Sequence, residues 1–157
     1  LGFAGDALEG AVTQAYWPAR LQRLRTGPLA DSAPSVELWL DGGHNAAAGA
    51  ALGAHLAALP ARSTHLICGM LNTKDITGYL RPLAARAQSL TAVSIPGEAN
   101  TLPAEVTAQA AREVGLTAGC APDVQTGLDQ IRAAEPGARV LICGSLYLAG
   151  AVLRENG

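Results

Sequence analysis

Short apolar segments alternate along the chain with longer segments in which apolar residues recur at the helical period. The predicted strands are residues 36–40, 65–68, 90–95, 116–119 and 139–143. The predicted helices are residues 46–59, 76–88, 104–114, 124–134 and 146–155. Strands and helices that alternate with short connections form βαβ units, so we expect an α/β domain with a mainly parallel sheet and helices on both faces.

The residues before the first of these strands follow a different pattern. Residues 1–16 have the pattern of a helix or a tail, and residues 21–25 are predicted to form an additional edge strand. Residues 27–34 are rich in Pro, Ser and Asp, so we expect a loop there.

Asp41-Gly42-Gly43-His44-Asn45 joins a predicted strand to a predicted helix. The two glycines are expected to adopt backbone angles that other residues avoid and to let the backbone approach a ligand. The following helix N-terminus offers N–H groups to an anion. Helix capping by Asp41 and Asn45, with a solvated His44, is the alternative interpretation.

Two strand ends are near copies, LICGML at residues 66–71 and LICGSL at residues 141–146. We interpret them as two similar central strands, because the loops after central strands converge where ligands bind. This convergence is expected to gather five residues around one crevice: Asp41, His44, Lys74, Asp75 and Ser145.

Other polar residues have alternative interpretations. Ser145 can hold a carboxylate or simply cap the last helix. Lys74 and Asp75 can pair with each other or face a charged ligand, although a solvated pair at a helix start is the commoner outcome. Arg20 follows Trp17-Pro18-Ala19, a turn that can direct its guanidinium at a phosphate or a base. His55 and His65 are interpreted as structural.

Composition narrows the class of protein. The 157 residues are 49% hydrophobic and only 4% aromatic, with a net charge of −2, which is typical of one soluble globular domain with an aliphatic core. No charge run indicates a nucleic-acid or membrane partner, and we expect a cytoplasmic protein. The three cysteines have no metal spacing and are expected to be reduced, buried thiols. Because the chain begins with Leu1, we expect a processed protein or part of a longer one.

The sequence argues against three common kinds of functional site. Neither G-x-G-x-x-G nor G-x-x-x-x-G-K-[ST] occurs, so an ordinary dinucleotide site and a P-loop are not expected in this chain. Ser145, His44 and Asp41 could form a hydrolase triad, but the second glycine of a nucleophile elbow is missing and the chain order differs from that of α/β-hydrolases.

Four motifs together resemble one family. Trp17-Pro18-Ala19-Arg20-Leu21-Gln22, Asp41-Gly42-Gly43-His44-Asn45, Gly69-Met70-Leu71-Asn72-Thr73-Lys74-Asp75 and Cys143-Gly144-Ser145-Leu146-Tyr147 resemble, in order, the C-terminal domain of folylpolyglutamate synthase/dihydrofolate synthase, a Mur ligase relative. Ala19 and Gly43 depart from the family pattern, which has glycine and alanine there.

The resemblance implies a Rossmann-like domain at residues 17–157, with about six strands and one antiparallel edge strand. Residues 1–16 would be a tail or linker from a missing N-terminal ATPase domain. It also implies an ADP-forming ligase that joins L-glutamate to dihydropteroate, to a (tetrahydro)folate, or to both, through an acyl phosphate. ATP and Mg²⁺ are the implied cofactors, and the metal ligands are expected in the missing domain. The fragment is expected to be inactive alone, and the protein a monomer.

The family motifs also imply residue roles. Arg20 and Asp41 resemble the residues that contact ATP, and His44 and Ser145 those that place glutamate. Lys74 and Asp75 match a family motif and are candidate catalytic residues without an assigned role. A stand-alone Rossmann-like module that binds a nucleotide or an amino acid is the alternative.

Overall fold

The computed structural model of the chain describes residues 20–72 and 75–156. These residues form six strands: β1 (Gln22–Leu24), β2 (Glu37–Leu40), β3 (Thr64–Cys68), β4 (Ser89–Ala92), β5 (Thr117–Cys120) and β6 (Arg139–Cys143). They also form six helices: α1 (Pro28–Ser32), α2 (Ala46–Ala58), α3 (Ile76–Ala84), α4 (Ala104–Glu113), α5 (Val124–Ala134) and α6 (Leu146–Asn156).

The six strands form one sheet in the order β1-β2-β6-β3-β4-β5. All neighbouring pairs are parallel except β1 and β2, which are antiparallel. The predicted α/β fold with one antiparallel edge strand is therefore confirmed. The two near-copy segments are also confirmed as central neighbours, because Cys68 of β3 is in register with Cys143 of β6.

Alternate residues of the strands bury two apolar clusters, one on each face of the sheet. Helices α2, α3 and α4 cover the face that carries Leu66 and Leu141. Helices α1, α5 and α6 cover the face that carries Ile67 and Ile142. The sheet is thus the middle of three layers, as an Ala- and Leu-rich chain with few aromatics requires.

The strand order opens a crevice beside β6. The helix after β2 runs over one face, whereas the helix after β6 runs over the other face. The two chain segments therefore diverge from adjacent strands at the same edge of the sheet. Ligands of open α/β sheets bind at such a switch point, outside the carboxyl ends of the strands.

The predicted loop at residues 27–34 is wrong, because the short helix α1 lies within it. Pro28 occupies the first turn of α1, where its missing N–H costs no hydrogen bond. Asn156 of α6 completes this helix start, since its side chain accepts from Leu29 N at 2.7 Å and donates to Thr26 O at 2.8 Å. A partner so distant in sequence leaves no local signal.

One helix end and one strand end differ most from the predictions. Helix α3 ends at Ala84 rather than residue 88, and β4 ends at Ala92 rather than residue 95. The expectation of buried thiols is correct for Cys68 and Cys143, but Cys120 is exposed on the edge strand β5. Among the described residues, no helix is both long enough and apolar enough to cross a membrane.

Candidate functional site

Asp41 lies directly after β2 and is 7% exposed. One carboxylate oxygen accepts from Leu21 N at 2.8 Å, and the other accepts from Gly43 N at 2.7 Å. Leu21 has a φ of 45°, a left-handed conformation that costs about 1 kcal/mol or more outside glycine. Asp41 therefore stabilises this backbone turn, and with it the position of the neighbouring Arg20.

The two glycines after Asp41 are required by packing and not by their backbone angles. Neither Gly42 nor Gly43 has a positive φ, so the expectation of special turn angles was wrong. A Cβ at Gly42 would overlap the side chain of Leu146, and a Cβ at Gly43 would lie 2.6 Å from the Cβ of Ala48. The glycines therefore let the turn pack closely against the starts of α2 and α6.

Two helices begin at the crevice. The Asn45 side chain caps α2 by accepting from Ala48 N at 2.9 Å. The Ser145 hydroxyl, at the start of α6, accepts from Tyr147 N at 2.9 Å. Gly144 turns the chain from β6 into α6 with a φ of 113°. The positive ends of two helix dipoles therefore face the same edge of the sheet, which favours an anionic ligand.

Two cavities adjoin at this edge. The larger has a volume of about 610 Å³, and Arg20, Asp41 and His44 are among the residues that line it. The smaller has a volume of about 160 Å³ and is lined by His44, Ser145, Leu71, Gly144, Leu146 and Tyr147. His44 and Leu146 line both cavities. The sequence predicted this clustering for Asp41, His44 and Ser145, and it is present.

The Lys74-Asp75 pair is placed only in part. Asp75 is exposed, caps α3 by accepting from Gly78 N at 2.9 Å, and lines neither of the two cavities. Lys74 lies outside the described residues, as do residues 1–16 and Trp17-Pro18-Ala19. Asp75 therefore caps α3, a role that the sequence analysis did not predict, and the roles of the other residues stay predictions.

His55 is a lining residue of the larger cavity that the sequence interpretation missed. It lies on the same side of α2 as Ala47 and Ala51, at helical spacing from the Asp41 turn. Its Nε2 is buried without a hydrogen-bond partner among the described residues, and its ring meets Trp39 edge-on at 5.8 Å. The spacing from His44 through the Ala-rich face was the signal that could have found it.

Beneath the crevice lie groups that stay neutral. A hydrogen bond with Cys143 and complete burial raise the pKa of the Cys68 thiol well above its usual value. Burial likewise raises the pKa of the Tyr79 phenol, which belongs to the same apolar cluster. These groups support the turns above them and supply neither a thiolate nucleophile nor a charge.

The geometry does not assemble a hydrolase triad. Within the described segments, no hydrogen bond joins Ser145 to His44 or His44 to Asp41. Both Asp41 oxygens already accept from backbone N–H groups, and Ser145 is only 2% exposed. Nor do residues 20–72 and 75–156 contain a group of three or more His, Cys, Asp or Glu that could hold a metal ion. The two helix N-termini and Arg20 at this edge of the sheet favour an anionic ligand.

Comparison with known families gives a match over most of the chain. The family described as "Dihydrofolate synthetase, C-terminal domain" matches residues 26–155. No curated protein matches the chain significantly.

Solved structures resemble the chain over nearly all of its length. Mycobacterium tuberculosis folylpolyglutamate synthase, complexed with ADP and AMPPCP, is 30% identical with a TM-score of 0.73, over 96% of this chain and 36% of that protein. A bifunctional folylpolyglutamate synthase/dihydrofolate synthase with Mn, AMPPNP and L-glutamate bound is 26% identical with a TM-score of 0.68, over 89% of this chain and 32% of that protein.

E. coli FolC in complex with DHPP and ADP supports the fold alone. It is 23% identical with a TM-score of 0.69, over 91% of this chain and 32% of that protein. The chain thus spans about a third of the length of these structures. With the six-stranded sheet and the family match over residues 26–155, the chain belongs to the family of dihydrofolate synthetase C-terminal domains.

Proposed function

We propose that this chain is the C-terminal domain of an ATP-dependent, ADP-forming ligase that joins L-glutamate to dihydropteroate or a folate. The observation that carries the proposal is the pair of adjoining cavities, one lined by Arg20 and Asp41, the other by Ser145, with His44 in both. The relatives complexed with ADP, and with AMPPNP and L-glutamate, support the same pair of ligands. Residues 17–157 would form this domain, and the preceding residues would lead from an ATPase domain.

The proposed reaction has two steps. A carboxylate oxygen of the pterin substrate attacks the γ-phosphorus of ATP, which forms an acyl phosphate and releases ADP. The amine of L-glutamate then attacks the acyl carbon, the C–O bond to phosphate breaks, and the amine loses a proton. The products are an amide, ADP and inorganic phosphate. The contribution of this domain is positioning and charge neutralisation.

Arg20 and Asp41 are proposed to bind the nucleotide. Arg20 is exposed at the larger cavity, where a guanidinium can pair with phosphate oxygens. An ionised carboxylate has about four acceptor sites. Two backbone N–H groups use part of this capacity at Asp41, so the carboxylate can still accept from the hydroxyls of a ribose.

His44 and Ser145 are proposed to place the glutamate. Ser145 Oγ accepts from Tyr147 N, which leaves the hydroxyl hydrogen free to donate to a carboxylate in the smaller cavity. His44 is exposed between the two cavities, where its ring can hold the amino acid close to the acyl phosphate. Lys74 remains a candidate without an assigned contact.

Mg²⁺ is implied by the chemistry of ATP, but the described residues do not fit a resident metal. Asp41 is the carboxylate of the larger cavity, and both of its oxygens face backbone donors. No cluster of three metal-binding side chains accompanies it in the described part of the chain. No step of the reaction is therefore assigned to a metal held by this domain.

The test is ADP formation by the full-length protein. It should require the pterin substrate and L-glutamate together. Arg20→Ala should raise the KM for ATP roughly tenfold or more, and His44→Ala should raise the KM for glutamate similarly, because each removes a contact to a charged group. Arg132→Ala, which removes an exposed ion pair with Asp129, is the matched control and should change neither KM.

ATP binding without ADP formation in the presence of both substrates would contradict the ligase. That result would instead support a stand-alone nucleotide-binding module. Ester cleavage that is lost in Ser145→Ala would support a hydrolase.

A further inference from the structure

Leu146 is an exposed apolar residue at the point where the two cavities meet. It is the first residue of α6, is 44% exposed, and lines both cavities. The only other large apolar residues with comparable exposure in the described part of the chain are Tyr147, its neighbour, and Val106, on α4.

Structure on two sides of Leu146 determines where its side chain lies. On one side, its side chain occupies the space that a Cβ at Gly42 would fill. On the other side, Gly144 sets the turn into α6, and the Ser145 hydroxyl caps the helix at Tyr147 N. One side of the Leu146 side chain therefore packs against the Asp41 turn, and the exposed remainder lines the two cavities.

The two cavities differ enough in size to take different ligands. At about 30 Å³ for each water, the smaller cavity holds about five waters and the larger roughly twenty. The smaller cavity can therefore take an amino acid of limited length, and only the larger can take a nucleoside.

We propose that Leu146 is a specificity-determining residue that separates the nucleotide from the amino acid and limits the length of the amino acid accepted. This inference rests on the proposed function. A leucine suits the role because it excludes water and offers no hydrogen bond to either ligand. A bound amino acid must then direct its polar groups towards His44 and Ser145, at the polar side of the smaller cavity.

The experiment compares two amino acids in the full-length protein. L-Glutamate and its homologue with one additional methylene, L-2-aminoadipate, are tested as substrates by kcat/KM for ADP formation. Leu146→Ala should raise the aminoadipate/glutamate ratio of kcat/KM about tenfold, since one methylene in a shaped pocket gives at least this discrimination. The change should come mainly from the KM values of the amino acids.

Leu146→Met keeps an apolar side chain of similar size and should restore most of the wild-type ratio. Val106→Ala removes an apolar side chain with a similar exposure of 45% that lines neither of the two cavities, and it should leave the ratio unchanged. Circular dichroism establishes whether each variant is folded. If Leu146→Ala does not fold, Leu146→Phe replaces it in the experiment. Because phenylalanine is longer than leucine, Leu146→Phe should lower the aminoadipate/glutamate ratio and raise the KM for glutamate.

An unchanged ratio in a folded Leu146 variant, with normal wild-type activity, would overturn this inference and leave the proposed function intact. An equal change in Val106→Ala would also overturn it. A wild-type protein that forms no ADP with glutamate would overturn the proposed function and this inference together.

Discussion

At the scale of single residues, Asp41 combines a structural role with a proposed binding role. Its carboxylate fixes the left-handed Leu21 and the turn at Gly43, so the same group that would accept from a ribose also shapes the cavity. Ligand contact and backbone support are therefore not alternatives here. A variant at this position should lose stability as well as nucleotide affinity.

Asp41→Asn tests this coupling. The amide NH₂ group cannot accept from a backbone N–H, so one of the two hydrogen bonds is lost and the free energy of unfolding should fall by about 1–3 kcal/mol. Urea denaturation of the chain measures it. Asp75→Asn is the control, because Asp75 is an exposed helix cap and asparagine is about as good an N-cap residue as aspartate. Equal stability of wild type and Asp41→Asn would contradict the role.

The surroundings of Glu37 indicate how the free energy of unfolding depends on pH. Burial raises its pKa, but hydrogen bonds from Arg139 and Trp39 and the charges of Arg139 and Arg62 outweigh burial, and the pKa is lowered overall. A carboxylate with a lowered folded-state pKa stabilises the protein fully above the ordinary pKa of about 4.3, and this stabilisation is lost as pH falls through the folded-state pKa.

Glu37→Gln should therefore lower the free energy of unfolding by about 2 kcal/mol near neutral pH. The difference from wild type should shrink as the pH falls below about 4.3. Chemical denaturation over a pH series measures both values. Glu113→Gln, on the exposed side of α4, should stay within about 0.5 kcal/mol of wild type. A difference that is independent of pH would contradict this account of Glu37.

The sequence predicted the candidate site residues best and the contacts between residues distant in the chain least well. Asp41, His44 and Ser145 follow strands whose ends meet, so their clustering could be predicted. The reason for Gly42 could not, because its partner Leu146 is distant in the chain. His55 was missed although its helical spacing from His44 along the Ala-rich face of α2 was a usable local signal.

At the scale of elements, glycines allow α2 and α3 to pack closely. A Cβ at Gly49 of α2 would overlap the backbone oxygen of Tyr79, and a Cβ at Gly53 would lie 2.9 Å from the backbone oxygen of Pro82. Helix α2 follows the site turn directly, so this contact also sets the direction of the helix N-terminus at the crevice.

Gly49→Ala and Gly150→Ala separate packing from helix propensity. Alanine favours a helix over glycine by about 1 kcal/mol, but at Gly49 overpacking should outweigh this gain and destabilise the chain by about 1–3 kcal/mol. At Gly150 of α6, the added Cβ meets only Arg154 Nη1 at 3.4 Å, so the variant should be as stable as wild type or more stable. Thermal denaturation compares them, and a stabilised Gly49→Ala would contradict close packing of α2 on α3.

Hydrophobic periodicity predicted most of the strands and helices, because each buries one regular face. It failed at α1, whose five residues depend on the Asn156 side chain from the other end of the chain. The exposed Cys120 was also missed, because the pattern did not identify β5 as an edge strand. Elements held by long-range polar contacts or by edge position carry little local signal.

At the scale of the whole molecule, the two helical layers meet the sheet so that α2 and α6 begin together at one edge. That single arrangement brings together the two helix dipoles, Arg20 with its charge, and two cavities of unequal size. The site nevertheless lies at an open edge of a chain that spans about a third of its solved relatives. We therefore propose that this domain binds and positions the substrates, and that complete turnover requires the longer protein.

The transfer of a labelled oxygen shows whether the full-length protein forms an acyl phosphate. The full-length protein is given ATP, L-glutamate and either dihydropteroate or a folate in which both oxygens of the reacting carboxylate are heavy oxygen, and the inorganic phosphate is analysed by mass spectrometry. An acyl phosphate requires that one labelled oxygen move from the carboxylate to phosphate in each turnover, together with formation of ADP and the glutamyl amide. Label in AMP, or amide formation without label in phosphate, would contradict the account.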